Sequence, residues 1–374
     1  MKINESIESA VKSAAVDIAD HYEYANDDEF NRELDDGELG QYEITFSKPD
    51  GSTQLLEPVS KALFFSDRAA YRFLRAEYRD NIRKQILNYS SFPENEAVYE
   101  KLKNTIRSGA TVIPFIGAGF SVAAGCPLWS DYILNQAVKA RMDSDEVQKR
   151  LQNGDHELVI EEVIAKLTFD VFARDFRSSF EGSRVVAALS PSSELINLLD
   201  GPMITTNFDR VLEDCHMEKK RPFREKVVGS ENTGRFIRSI YSGEKYLLKL
   251  HGNLDEQRNR VLTQIEYARG YGSQELDLNL PIPRTLSKVF SSFTVLFCGC
   301  SLIADRYLKV LKRVYEEDKE FIPQHYAILV APDAPDERLV RDQFLAQHGI
   351  SPIWFSDGDW SAPENILRLL KNDS

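Results

Sequence analysis

Apolar and polar positions fall into two regimes along this chain. From about residue 106 onward, short unbroken apolar runs recur at Val112 to Ile116, Met203 to Thr206, Tyr246 to Leu250, Thr294 to Cys298, Tyr326 to Ala331 and Ile350 to Phe355. A strand buried on both faces reads as such a run. Six of them, separated by helical or irregular stretches, predict a Rossmann-like α/β fold: an open parallel sheet of about six strands with helices on both faces. Two intervals exceed what one crossover helix needs. Trp129 to Gly201 shows helical periodicity over Asp131 to Met142 and Glu157 to Phe180, which predicts a helical insertion at about 130–200 lying over the strand ends. Asn253 to Thr285 reads as loop-rich, and no internal repeat or low-complexity tract appears.

Residues 1–105 are patterned differently. Between Asp20 and Glu38, nine acidic residues accompany a single base, Arg32, which predicts a solvated acidic loop. Gln41 to Phe46 and Ser52 to Leu56 flank Lys48-Pro49-Asp50-Gly51, a hairpin turn signal. Ser66 to Leu87 reads as a helix with Ala70, Leu74, Tyr78, Ile82 and Ile86 at four-residue spacing. Its basic face of Arg68, Arg72, Arg75, Arg79 and Arg83 is read as solvated, with the acidic segment available to neutralise it. The region is expected to be a mostly helical N-terminal appendage for assembly or partner docking, ahead of one domain over 106–374.

Composition narrows the function classes. A chain of 374 residues with 42% hydrophobic content supports an ordinary globular core. Its net charge of -13 argues against a general nucleic-acid or anionic-membrane surface, because both would repel it. Met1 to Ala19 interleaves Lys2, Glu5, Glu8, Lys12 and Asp17 with its apolar residues, so it reads as neither signal peptide nor membrane span, and a cytoplasmic protein is expected. Cys126, Cys215, Cys298 and Cys300 form no C-x-x-C pair, which leaves reduced thiols as the reading.

Candidate chemistry sits where the apolar runs end, since functional residues of open parallel sheets gather at the carboxyl ends of strands. Gly117-Ala118-Gly119-Phe120-Ser121 follows the first run, Asn207-Phe208-Asp209 the second, His251-Gly252 the third and Gly299-Cys300-Ser301 the fourth. Glycine turns let backbone N–H groups approach a pyrophosphate, while an amide, a carboxylate and an imidazole supply hydrogen bonds and proton transfer. Plainer uses exist for each: a packing turn, an Asx turn, a strand cap. Cys298 and Cys300, without further ligands nearby, read as core packing, and the histidines at 21, 156, 216, 325 and 348 read as structural or surface residues.

Taken in order, Gly117 to Ser121, Gly125-Cys126-Pro127, Thr206-Asn207-Phe208-Asp209, His251-Gly252 and Gly299-Cys300-Ser301 resemble the NAD-binding series of the sirtuin superfamily, over roughly residues 108–330. The resemblance implies NAD bound as substrate and attack at the nicotinamide ribose. Sirtuin deacylases carry a zinc module of two cysteine pairs; this sequence has no such pairs, so no metal is expected. Leu128-Trp129 after Pro127, the segment Leu262-Thr263-Gln264-Ile265-Glu266-Tyr267, and Asp305 after the Cys298–Ser301 turn resemble a bacterial sirtuin-like branch of anti-phage defence. That branch implies an NAD hydrolase yielding nicotinamide and ADP-ribose and depleting cellular NAD in abortive infection. It also implies a homo-oligomer and a partner from the same operon such as a HerA-type ring ATPase; the acidic charge adds the expectation of no membrane and no direct nucleic-acid binding.

Roles follow for the matching residues. His251 is expected as a neutral base toward a ribose hydroxyl or the attacking water, and Asn207 as the group holding that ribose or water through one donor and one acceptor. The turn of Gly117, Ala118 and Gly119 is assigned to the pyrophosphate and Gly299, Cys300 and Ser301 to the adenosine half, with Ser121, Thr206 and Asp305 also expected among the NAD-binding residues. Asp209 is expected to orient Asn207 or bond the glycine loop, and Trp129 to stack near the substrate or anchor the insertion. Two alternatives stay open: a non-catalytic NAD or ADP-ribose sensor or scaffold, and a zinc-free sirtuin-type deacylase.

Overall fold

The Lys48–Gly51 turn closes an antiparallel hairpin, β1 (Thr45–Ser47) with β2 (Thr53–Leu55), Gly51 supplying the left-handed φ of 83°. It belongs to a computed structural model that describes residues 24–373 apart from 26, 183, 232, 254–256 and 304. The readings made on Met1 to Ala19 and on His21 lie outside the described residues.

The acidic segment is not a loop throughout: Asp28–Asp35 is a helix. Phe30 and Leu34, four residues apart, fall on one helical face and are buried with Phe64 and Tyr71, and that burial outweighs the crowding of like charges. The long helix that follows spans Arg68–Ile86 and buries Tyr71, with Leu74 and Tyr78 packed beside it. Asp27 pairs with Arg75 at 3.1 Å and Arg79 at 2.6 Å, so the acidic segment does neutralise part of the basic face.

The chain divides into two compact units between Gln85 and Ile86, ahead of the boundary expected at 105. Helix Asn95–Arg107 lies with the second unit because it packs on β9 (Ile350–Phe355) and helix Ala362–Asp373. Buried Asn95 fastens it there, donating to the Leu87 and Trp354 carbonyls and accepting from the Trp354 N–H, each at 2.8 Å.

The sheet of this unit has seven parallel strands, in the order β5-β6-β4-β3-β7-β8-β9. Six match the apolar runs to within a residue at their ends: β3 (Val112–Ile116), β4 (Met203–Thr205), β6 (Tyr246–Lys249), β7 (Thr294–Cys298), β8 (His325–Val330) and β9. The seventh, β5 (Glu225–Val228), is a short edge strand whose Glu225 and Lys226 are not buried, so no apolar run announces it. Alternate side chains of β3 enter opposite cores, Val112 and Ile116 with Leu247 and Leu296, Ile113 and Phe115 with Ile204 and Phe297. Strand order reverses about β3, since the chain first builds toward β5 and then returns to place β7 on the other flank. A reversal of this kind opens a crevice at the carboxyl ends of the strands.

The insertion between β3 and β4 holds helices Trp129–Lys139, Ser144–Gln152, His156–Leu167 and Phe169–Phe180. Thr168, at φ 68°, breaks into two helices what periodicity showed as one from 157 to 180. The interval expected to be loop-rich contains helix Gln264–Tyr271 and the start of helix Pro281–Ser292. No described helix is long and apolar enough to cross a membrane.

Buried His325 gives this core a pH dependence. Its Nδ1 accepts from the Val295 N–H at 3.2 Å, and burial pushes its pKa down to about 4. The unfolded chain protonates that ring near pH 6.5, so unfolding takes up a proton and stability falls as pH drops from about 6.5 toward 4. The loss amounts to about 2 kcal/mol at about pH 5. In thermal melts at neutral and mildly acidic pH, His325→Asn, which retains an acceptor that does not titrate, is expected to flatten this slope relative to the wild type.

Candidate functional site

Register aligns the strand ends. Ile116 pairs with Thr205 on one side and Cys298 on the other, and Thr205 pairs with Lys249. Gly117, Thr206, Leu250 and Gly299 therefore leave the sheet at one level.

The two glycine turns are pressed together. Gly117 N–H donates to the Cys298 carbonyl and Gly119 N–H to the Gly299 carbonyl, both at 2.9 Å. A Cβ on Gly117 would meet the Gly299 oxygen at 2.5 Å, and one on Gly299, itself at φ 66°, would meet the Phe120 nitrogen at 2.5 Å. This narrows the phosphate-binding role expected of the first turn. Of the N–H groups of Gly117, Ala118 and Gly119, those of Gly117 and Gly119 are engaged by Cys298 and Gly299, and that of Ala118, half-buried, is without a partner among the described residues.

Asn207 is half-buried after β4, and its Nδ2 donates to the Gly117 carbonyl at 3.1 Å and to Ser121 Oγ at 3.2 Å. Both amide hydrogens are thereby engaged, and Oδ1 makes no hydrogen bond among the described residues. Asn207 thus offers an acceptor alone, not the donor and acceptor expected from its type. Its backbone N–H donates to Thr205 Oγ1 at 3.0 Å, and the Thr206 N–H bonds the Ile116 carbonyl at 3.2 Å. Asp209 lies behind this turn, 4% exposed. It accepts from the Val211 N–H at 3.0 Å and from the Ser121 hydroxyl, the second of its two expected roles. Burial raises its pKa, and the Lys249 ammonium opposes the rise. Trp129 packs within an aromatic group of Tyr132, Phe176, Phe180 and Phe208, at 6.2 Å from Phe208, and so anchors the insertion to the Asn207 turn.

Lys249 was not anticipated, although one charge inside the run Leu247 to Leu250 was a readable signal. It is 2% exposed, and its Nζ donates to the Phe208 carbonyl at 3.2 Å, the Asp209 carbonyl at 2.7 Å and Glu213 Oε1 at 3.2 Å.

His251 is 7% exposed, and burial pushes its pKa down to about 3. Its Nε2 lies 3.0 Å from Tyr271 Oη, and Tyr267 meets its ring edge-on at 5.3 Å between centroids. The segment Leu262 to Tyr267 is the start of the helix that brings both tyrosines here. Thr263 and Glu266 form a capping box, and the Glu266 carboxylate also takes the Leu262 N–H at 3.0 Å and the buried Arg260 Nε at 2.9 Å. A cavity of about 560 Å³, lined by Ser230, Arg258, Arg260, Glu266 and Arg269 among others, borders this loop on the β5 side and leaves out the glycine turns and Asn207.

At the end of β7, Cys298 and Cys300 are buried and their thiols are pushed well above the ordinary range by burial. Cys300 Sγ lies 3.6 Å from the Phe115 carbonyl, so its side chain serves the core and only its backbone borders the crevice. Ser301 is exposed and its hydroxyl donates to Asp305 at 3.4 Å; burial raises the Asp305 pKa against the pull of the Tyr307 and Ser301 hydroxyls. Arg341 pins the turn by donating to the Ser301 and Leu302 carbonyls, both at 2.6 Å. Arg306 forks onto Glu157 of the insertion at 2.9 and 2.7 Å. Among the described residues, no group of three or more His, Cys, Asp or Glu stands where it could hold a metal ion.

Residues 202–353 match the SIR2-like domain family, a span that includes Asn207, Asp209, His251, Gly299 to Ser301 and Asp305. No curated protein matches the chain. The parallel sheet sets the Gly117–Ser121 turn beside that span, and the match over residues 202–353 supports a place for this part of the chain in the sirtuin-like superfamily.

Proposed function

We propose that this protein is an NAD hydrolase, cleaving the nicotinamide N-glycosidic bond to give nicotinamide and ADP-ribose. The observation that carries the reading is a neutral, buried imidazole and an amide with only its oxygen free, at neighbouring ends of one sheet. As the glycosidic bond breaks, its electron pair leaves with nicotinamide and positive charge grows on the ribose. Groups that accept hydrogen bonds favour that charge, and Asn207 Oδ1 is such a group. With the ring proton of His251 on Nε2 and donated to Tyr271, Nδ1 accepts the proton of a ribose hydroxyl or of the water whose oxygen bonds the ribose carbon. The paired glycine turns, where the strand order reverses, suit the rest of a dinucleotide. The sequence has no two cysteine pairs for a deacylase zinc module, which favours water over an acylated protein as the acceptor.

The same reading makes the protein an effector of bacterial anti-phage defence that depletes NAD. It would assemble as a homo-oligomer through its N-terminal unit and act beside a partner such as a HerA-type ring ATPase. Trp129 and the Leu262 to Tyr267 segment support this through their resemblance to that branch.

Purified protein, alone and with any operon partner, is expected to release nicotinamide and ADP-ribose from NAD. His251→Ala and Asn207→Ala are each expected to lower the rate roughly 100-fold or more. NAD binding without release by the wild type would replace the hydrolase with a sensor or scaffold. The pH profile gives a second check. With a pKa near 3, His251 keeps its base form throughout the working range, so kcat is expected to stay level from about pH 8 down to about pH 5.5. An acid limb centred near pH 6.5 would show that the ring titrates as an ordinary hydrated histidine and would count against a buried base.

A further inference from the structure

We propose that Lys249 is a positioning residue for the reaction, holding the Asn207 turn in fixed relation to His251 by clamping the two backbone carbonyls that follow Asn207. The inference rests on the hydrolase reading of His251 and Asn207.

An ammonium has three hydrogens, and Lys249 has three acceptors: the carbonyls of Phe208 and Asp209 and the carboxylate of Glu213. The two carbonyls belong to the residues directly after Asn207, where β4 has ended and the ladder no longer offers partners. Holding both fixes the peptide planes beyond Asn207 and hence the direction in which its side chain leaves the backbone. Lys249 is itself the last residue of β6, two before His251, and is paired in register with Thr205, two before Asn207. One side chain therefore ties together the two turns that carry the proposed reacting groups.

Stability alone does not call for a lysine here. Burying an ammonium and a carboxylate carries a desolvation cost that their attraction often fails to exceed, and apolar residues of similar volume commonly replace such pairs without loss. The neighbours Leu247, Leu248 and Leu250 show the residue type that the core accepts on this strand. Glu213 Oε2 is buried without a hydrogen-bond partner among the described residues, so the carboxylate gives little reason for the lysine. What an apolar side chain does not supply is the pair of donors to the 208 and 209 carbonyls.

The experiment compares the wild type with Lys249→Met, Lys249→Met/Glu213→Leu and Glu213→Gln in the full chain, by NAD turnover, thermal melting and amide hydrogen exchange read on peptides covering 203–212. The single lysine variant leaves Glu213 buried and unpaired and is expected to melt lower. The double variant removes both charges of that pair but leaves buried Asp209 without its cation, and is expected to melt between the single variant and the wild type. In the double variant we expect kcat to fall roughly tenfold or more with KM within about threefold, and exchange over 206–209 to rise while that of β3 and β8 is unchanged. Glu213→Gln, which keeps both carbonyl bonds, is expected to retain kcat within about twofold. A double variant with wild-type melting, kcat and exchange overturns the proposal, as does a Glu213→Gln variant as impaired as the double. Exchange is read without NAD, in the single variant as well as the double. A wild type that cleaves no NAD would therefore defeat the hydrolase reading, while exchange would still decide whether Lys249 holds the turn.

Discussion

The contact between two backbone turns governs this site. Gly117 and Gly299 follow adjacent strands at the same level, and neither has room for a side chain because the other turn occupies the space. Everything else at the crevice is referred to that contact. Asn207 bonds the carbonyl of Gly117, Ser121 bridges Asn207 to Asp209, and the Gly299 turn leads to Ser301 and Asp305. A substituent on either glycine would separate β3 from β7 at their ends and displace acceptors several residues away, since packed interiors transmit such shifts. Backbone, not flexible side chains, forms the floor of the crevice.

Several polar groups around this floor are matched donor to acceptor. Lys249 meets three acceptors, Glu266 receives backbone and guanidinium donors, and Arg341 collects two carbonyls. In a low-dielectric setting such matching fixes geometry more firmly than apolar contact does. It also explains why the loop after β6, which looks irregular, holds His251 so closely. Gly252 is at φ 79° with the Asn259 carbonyl where its Cβ would be, and the Val261 N–H returns to the His251 carbonyl at 2.9 Å.

Much of this architecture was legible in the residues. Runs buried on both faces are unambiguous, so six of the seven strands and the crevice they share follow from pattern alone, and so does the grouping of Asn207, His251 and the glycine turns. The features that escaped are those in which one contact outweighs a local trend. Phe30 and Leu34 make a helix of an acid-rich stretch, Thr168 interrupts a continuous helical period, and Asn95 fastens its helix to the sheet unit by three hydrogen bonds. Lys249 escaped for another reason. A single charge in an apolar run shows that a partner exists, but the identity of backbone carbonyls across a parallel crossover is not encoded in any short window.

The engagement of Asn207 has a consequence for recognition. A carboxamide with both hydrogens occupied can address only groups that carry a hydrogen of their own. A hydroxyl satisfies it, whereas a carbonyl or phosphate oxygen brought to the same place would oppose lone pair to lone pair. The end of β4 is therefore set, before anything binds, to favour a partner that donates a hydrogen over one that offers only lone pairs.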